Sequence, residues 1–141
     1  MGNKTSIGEN KTIGGNKTIG GNKTIGGNNH HKMHLSEPWF TLISLGLKKT
    51  EGRLNKGKFQ DLQEGDIIEW YNDDFKHRSC LTKIIKKIEY NSFEEYLQRE
   101  GLDDCLPGIS DLETGLSVYY KYYSKENEKQ FRVVAIQLIK I

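Results

Sequence analysis

Apolar residues along this chain fall into two regimes. Up to residue 32 they are isolated, with Ile13, Ile19 and Ile25 recurring once per NKTIGG unit among glycine, asparagine and lysine. From residue 33 to residue 141 they recur at the spacings of helices and strands. Ser36, Glu37 and Pro38 predict a helix start, with an N-cap hydroxyl, an acid in the first turn and a proline tolerated there. Trp39, Phe40, Leu42, Ile43 and Leu47 would supply its buried face, and Gly46 would end it. Residues 48–54 are expected to be extended. Asp66–Asn72 reads as a strand behind the turn Glu64-Gly65-Asp66. After the polar loop Asn72-Asp73-Asp74, the stretch His77–Tyr90 alternates isoleucine with lysine, as a long strand with one wet face does.

Two helices are predicted next. Ser92-Phe93-Glu94-Glu95 and Ser110-Asp111-Leu112-Glu113 each place a hydroxyl three residues before an acid, the pattern of a capping box. The first should end near Gly101, and Pro107-Gly108 should turn the chain between them. Tyr119, Tyr120, Tyr122 and Tyr123 fall on the second predicted helix. Tyr119 and Tyr123 share a face with Leu112 and Leu116 and should pack on the sheet, leaving Tyr120 freer to meet a ligand. In Phe131–Ile141 both alternating sets are largely apolar, which predicts a central strand or part of a closed barrel. The order of elements gives a small α+β domain around a mostly antiparallel barrel.

Composition divides the chain at the same place. The 21 Lys and Arg against 19 Asp and Glu give a net charge of +2. Residues 1–32 hold five lysines against Glu9 alone, while residues 33–141 carry 16 basic and 18 acidic groups. All 14 aromatic residues lie in the second segment and 8 of the 15 glycines in the first. Residues 1–32 are therefore expected to be a disordered Gly/Asn/Lys-rich tail, and residues 33–141 a single folded domain. No run approaches the roughly 18 apolar residues of a membrane span, and the polar start lacks the apolar stretch of a signal peptide. An intracellular, cytoplasmic protein with no membrane association is the expectation. Cys80 and Cys105 fit no zinc spacing and are read as reduced thiols.

The tail carries little chemistry. Three short repeats with two glycines each are too few for a β-solenoid. Asn3, Asn10, Asn16 and Asn22 each begin an N-x-T sequon, which matters only to a chain that enters the secretory route. His30, His31 and His34 cluster where the tail meets the domain; such a cluster on a flexible segment binds metal adventitiously, and no native metal or cofactor is expected.

The densest polar stretch is Gly46-Leu47-Lys48-Lys49-Thr50-Glu51-Gly52-Arg53. If residues 49–53 are extended, Lys49, Glu51 and Arg53 share one face and Thr50 takes the other, while Lys48 could swing toward either. Alternating charges on a strand can also be a plain solvated face, contributing roughly 0–1 kcal/mol per exposed pair. The residues Gly46, Lys48, Glu51 and Arg53 match G-x-K-x-x-E-x-R, the signature of the ASCH family, RNA-associated relatives of the PUA fold. The opening Leu35–Phe40, Gly65-Asp66-Ile67-Ile68, Ser92–Leu97, Leu106-Pro107-Gly108 and the last apolar strand also resemble that family, over about residues 33–141.

The resemblance implies a PUA-like β-barrel with flanking helices, a cleft lined by the signature, and RNA or a nucleotide-like small molecule as partner. Lys48 and Arg53 would then supply cations for phosphate, Arg53 as a planar fork and Lys48 as a point charge. Glu51 would accept from a base edge or orient Arg53. Lys49, Lys56 and Lys58 would extend a basic rim, and Tyr71 would offer a stacking face, whereas Trp70 is expected in the core. Some bacterial relatives are amidohydrolases of acetylated cytidine that use a lysine, a threonine and a glutamate. Lys48 falls on the lysine position, but Glu51 stands where the threonine should be and Thr50 is displaced by one residue. A carboxylate cannot replace that hydroxyl nucleophile, so an enzyme here would have to rely on a Lys48–Glu51 pair for acid–base work. The sequence does not place the third member; Glu69 and Glu113 are candidates only as acids of the domain. The expected function is thus an RNA- or nucleotide-binding module, with an amidohydrolase of modified nucleosides and an adaptor with a vestigial cleft as alternatives.

Overall fold

A computed structural model describes residues 27–141. The NKTIGG repeats and their sequons lie outside the described residues, as does most of the expected tail. Among the described residues five strands form one sheet in the order β1-β3-β4-β5-β2, curled into a half-barrel: β1 (His30–His34), β2 (Thr50–Leu54), β3 (Ile67–Asn72), β4 (Arg78–Tyr90) and β5 (Val133–Lys140). β1 runs parallel to β3, and the other neighbours are antiparallel. The two edge strands, β1 and β2, do not pair with each other. That gap is where the site lies.

β5 justifies its doubly apolar pattern. Val134, Ile136 and Leu138 enter a core with Met33, Phe40, Ile43, Ile68, Trp70 and Ile84 inside the half-barrel. Val133 and Ala135 face a second core with Phe93, Tyr96, Leu97, Leu106 and Tyr119 on the helical side. Both faces are therefore buried, as its sequence requires. β4 keeps one wet face and carries a bulge between Ile84 and Lys86. Trp70 is fully buried as expected, and its indole N–H donates to Thr82 Oγ1 at 2.9 Å.

Six helices of the described residues flank the sheet: α1 (Trp39–Ser44), α2 (Lys58–Asp61), α3 (Phe93–Glu100), α4 (Leu102–Cys105), α5 (Leu112–Tyr120) and α6 (Lys125–Phe131). α3 is capped as read: Ser92 Oγ accepts from the Glu95 N–H at 3.1 Å, and Gly101 ends it at φ 94°. Two caps differ from expectation. α1 has no capping hydroxyl; Pro38 has no N–H to satisfy, and the Glu37 carboxylate reaches on to the Thr41 N–H and hydroxyl instead. α5 is capped by Asp111 rather than Ser110, its carboxylate accepting from the Thr114 N–H at 2.8 Å. Leu47 is exposed, because Gly46 at φ 78° turns the chain off the helical face before Leu47 can join it. β1, α2, α4 and α6 were not legible as elements, and β1 begins at His30, ahead of residue 33. α6 is almost wholly polar, with Glu128 its buried residue, so no apolar period marks it.

Candidate functional site

β2 alternates its side chains between two environments. Gly52 and Leu54 face the helices, where Gly52 lies so close to Tyr96 that an added Cβ would sit 2.7 Å from the tyrosine hydroxyl. Glu51 and Arg53 face the other way, and the two meet at 2.5 Å through Arg53 Nε. Lys48, in the turn before β2, folds its ammonium to the same carboxylate at 3.2 Å. It also donates to the backbone carbonyls of Thr50 at 2.8 Å and of Cys105. All three ammonium protons of this buried lysine are thereby engaged. Burial alone would raise the Glu51 pKa, but the adjoining Lys48 and Arg53 charges more than offset it and hold the carboxyl below its ordinary value. Glu51 is therefore a fixed, ionised acceptor.

This triad forms the floor of a cleft of about 360 Å³ between the end of β1 and the edge of β2. His34, Leu35 and Ser36 form one wall, Leu106, Val118 and Tyr119 another, and Trp39, Tyr122 and Tyr123 complete the rim. The Lys48 ammonium lies 5.7 Å from the Trp39 ring centroid, and the Arg53 guanidinium 5.0 Å from that of Phe59. Arg53 spends only Nε on described residues, so its two terminal nitrogens remain available to a ligand. Behind the wall, Tyr96 and Tyr119 share a hydroxyl contact at 3.1 Å, and burial drives both phenols well above their usual range. Burial likewise pushes the Cys105 thiol up to about 12, which leaves it unreactive.

The sequence-derived candidates separate in space. Lys48, Glu51 and Arg53 come together in the cleft. Lys56 and Lys58 are exposed beside an adjoining hollow that shares Arg53 and Tyr123 with it. Lys49 points to the far side of β2, near Asp104 and Arg99. Tyr71 sits outside the cleft on β3, edge-on to His34 at 5.5 Å and stacked with His77 at 5.9 Å. Thr50 is buried on the helical side, and neither Glu69 nor Glu113 lines the cleft. Tyr120 is not free: its hydroxyl donates to both oxygens of Glu128, at 2.9 and 2.8 Å. The histidine cluster is dispersed by β1, with His31 held to Asp66 at 2.9 Å and His30 and His34 exposed on the other face. Trp39, Tyr122 and Tyr123 are the cleft residues that sequence reasoning missed. α5 ends at Tyr120, so Tyr122 lies beyond the helix at the cleft, while Tyr123 packs on the helical-side core as expected, stacked on Phe93 at 5.4 Å, and also reaches the cleft rim.

A curled mixed sheet with flanking helices and a polar, aromatic cleft at its open seam defines an α+β half-barrel domain. The family model described as ASCH domain matches residues 33–141, and the chain belongs to that family. Among solved structures, the crystal structure of hypothetical protein PH0355 is 37% identical with a TM-score of 0.72, covering 79% of this chain and 99% of that one. The solution structure of protein PF0455 from Pyrococcus furiosus is also 37% identical, with a TM-score of 0.66 over 79% of this chain and 97% of its own. No curated protein matches the chain. Among the described residues no helix is long and apolar enough to cross a membrane.

Proposed function

We propose that this domain binds RNA or a nucleotide, holding one base in the cleft above Glu51 and Arg53. One observation carries this reading: aromatic faces and unspent guanidinium donors converge on a single cavity. Its volume of about 360 Å³ lies in the usual range for small-ligand sites. Trp39, Tyr122 and Tyr123 offer faces for stacking. Glu51 accepts from an exocyclic amine or ring N–H, and the Arg53 terminal nitrogens donate to a base carbonyl. Lys48 acts through Glu51, fixing its charge and orientation. Tyr122 is 70% exposed, so its truncation tests binding with little effect on folding. Tyr122→Ala is expected to weaken binding of a fluorescently labelled single-stranded RNA by about 1–3 kcal/mol, the worth of one base–aromatic stack. Unchanged anisotropy titrations in this variant and in Arg53→Ala would remove the cleft from consideration.

The hydrolase reading keeps one supporting observation, the Lys48–Glu51 contact within a cavity. Against it, Thr50 is buried on the opposite side of β2 and offers no nucleophile to the cleft. Incubation with acetylated cytidine separates the readings: release of cytidine above a Lys48→Ala control favours the enzyme, and none favours the binding module.

A further inference from the structure

A second hollow, of about 300 Å³, opens beside the cleft. Arg53 and Tyr123 line both cavities, so the two adjoin at these side chains. Their charges are of different kinds. In the cleft, Lys48 has no proton left to donate, and the ionised Glu51 lies at its floor. A phosphate placed there would meet a carboxylate in a poorly solvated site, where like charges repel strongly. In the hollow, Lys56 and Lys58 are exposed, and neither forms an ion pair with a carboxylate of the described residues. The Lys56 ammonium rests 5.0 Å from the Phe131 ring centroid, a contact that leaves its hydrogen-bond donors unspent.

Resting on the base-binding reading above, we infer that this hollow is a phosphate subsite. Lys56, Lys58 and a terminal N–H group of Arg53 hold the backbone phosphate adjoining the base in the cleft. Tyr123 forms the partition between the two. The preferred ligand is therefore a phosphorylated nucleotide or an RNA strand rather than a free nucleoside. The cations that meet phosphate are thus Arg53 and the two lysines that follow β2, not the buried Lys48 of the signature.

Titration calorimetry tests this with the common ribonucleosides, their 5′- and 3′-monophosphates, a short mixed-sequence RNA and inorganic phosphate, on wild type and a Lys56→Ala/Lys58→Ala variant. Wild type should bind one monophosphate series about tenfold more tightly than the nucleosides, the size of one charge-assisted hydrogen bond. The double variant should lose that preference and keep its nucleoside affinity. For the RNA, the dependence of log K on log salt should become shallower by about 1.4, two contacts at about 0.7 each. An unchanged preference and salt slope in the variant would overturn the subsite. Nucleoside binding with no gain from a phosphate overturns it while sparing the base cleft. Inorganic phosphate binding as tightly as the monophosphates would make the hollow a free-anion site and overturn the link to the base. Failure of wild type to bind any nucleoside, nucleotide or RNA overturns both readings.

Discussion

Glu51 is the residue on which the cleft's geometry turns, since it joins two cations that otherwise have no reason to approach each other. Removing one partner of a buried ion pair typically costs about 3–5 kcal/mol, because the remaining charge is left uncompensated. Glu51→Gln should lower stability by that order, read from urea denaturation at neutral pH. The pH dependence has a definite sign. With the folded-state pKa held below the ordinary 4.5, the unfolded chain binds the proton first on acidification. The stabilisation is present above 4.5 and is lost as pH falls through the lower folded value. Wild type should therefore lose stability more steeply than Glu51→Gln over that acid window; parallel profiles would contradict the pairing. Gly52 makes a separate demand, for space. Gly52→Ala forces its Cβ into Tyr96 and should cost about 1–3 kcal/mol by overpacking, with a matching fall in melting temperature.

At the scale of elements, the cleft depends on how two unpaired edge strands are held. β2 is fixed by β5 along its length. β1 is fixed by β3 and by Asp66, whose fully buried carboxylate accepts from the Asn29 N–H at 3.1 Å and the Gln63 N–H at 3.1 Å and meets His31 Nε2 at 2.9 Å. Asp66→Ala orphans those donors at about 1–3 kcal/mol. It should speed amide exchange in β1 and weaken ligand binding through the His34–Ser36 wall, although Asp66 touches no part of the cleft. Equal exchange in β1 would show that pairing with β3 suffices. Elements with a strong period or a firm cap were legible in the sequence: β3, β4, β5 and α3. β1 was hidden because four of its five residues are His or Lys, and its strand character comes from pairing with β3 rather than from propensity. In the cleft, Lys48, Glu51 and Arg53 could be picked out by their match to the family signature, whereas strand spacing alone would have grouped Lys49 with Glu51 and Arg53. Tyr122 and Tyr123 could not, because where α5 stops decides their direction and no glycine marks that stop. Trp39 reads as part of the buried face of α1, and it does pack on both cores while still reaching the cleft.

For the whole molecule, the net charge of +2 says little about partners. Even the basic strip from Lys48 to Lys58 does not act as one. Folding turns Lys48 inward, sends Lys49 to the far side of β2 and leaves Arg53, Lys56 and Lys58 around two adjoining cavities. Recognition should then rest on a few short-range contacts, with modest salt dependence, rather than on a broad basic field. Nuclear magnetic resonance on the isotopically labelled chain, titrated with a short single-stranded RNA, tests that most directly. Shifts should concentrate on the Trp39 indole, the backbone of Glu51 and Arg53, and Tyr122 and Tyr123. Shifts confined to another face, with these resonances unmoved at saturation, would contradict the cleft as the binding site.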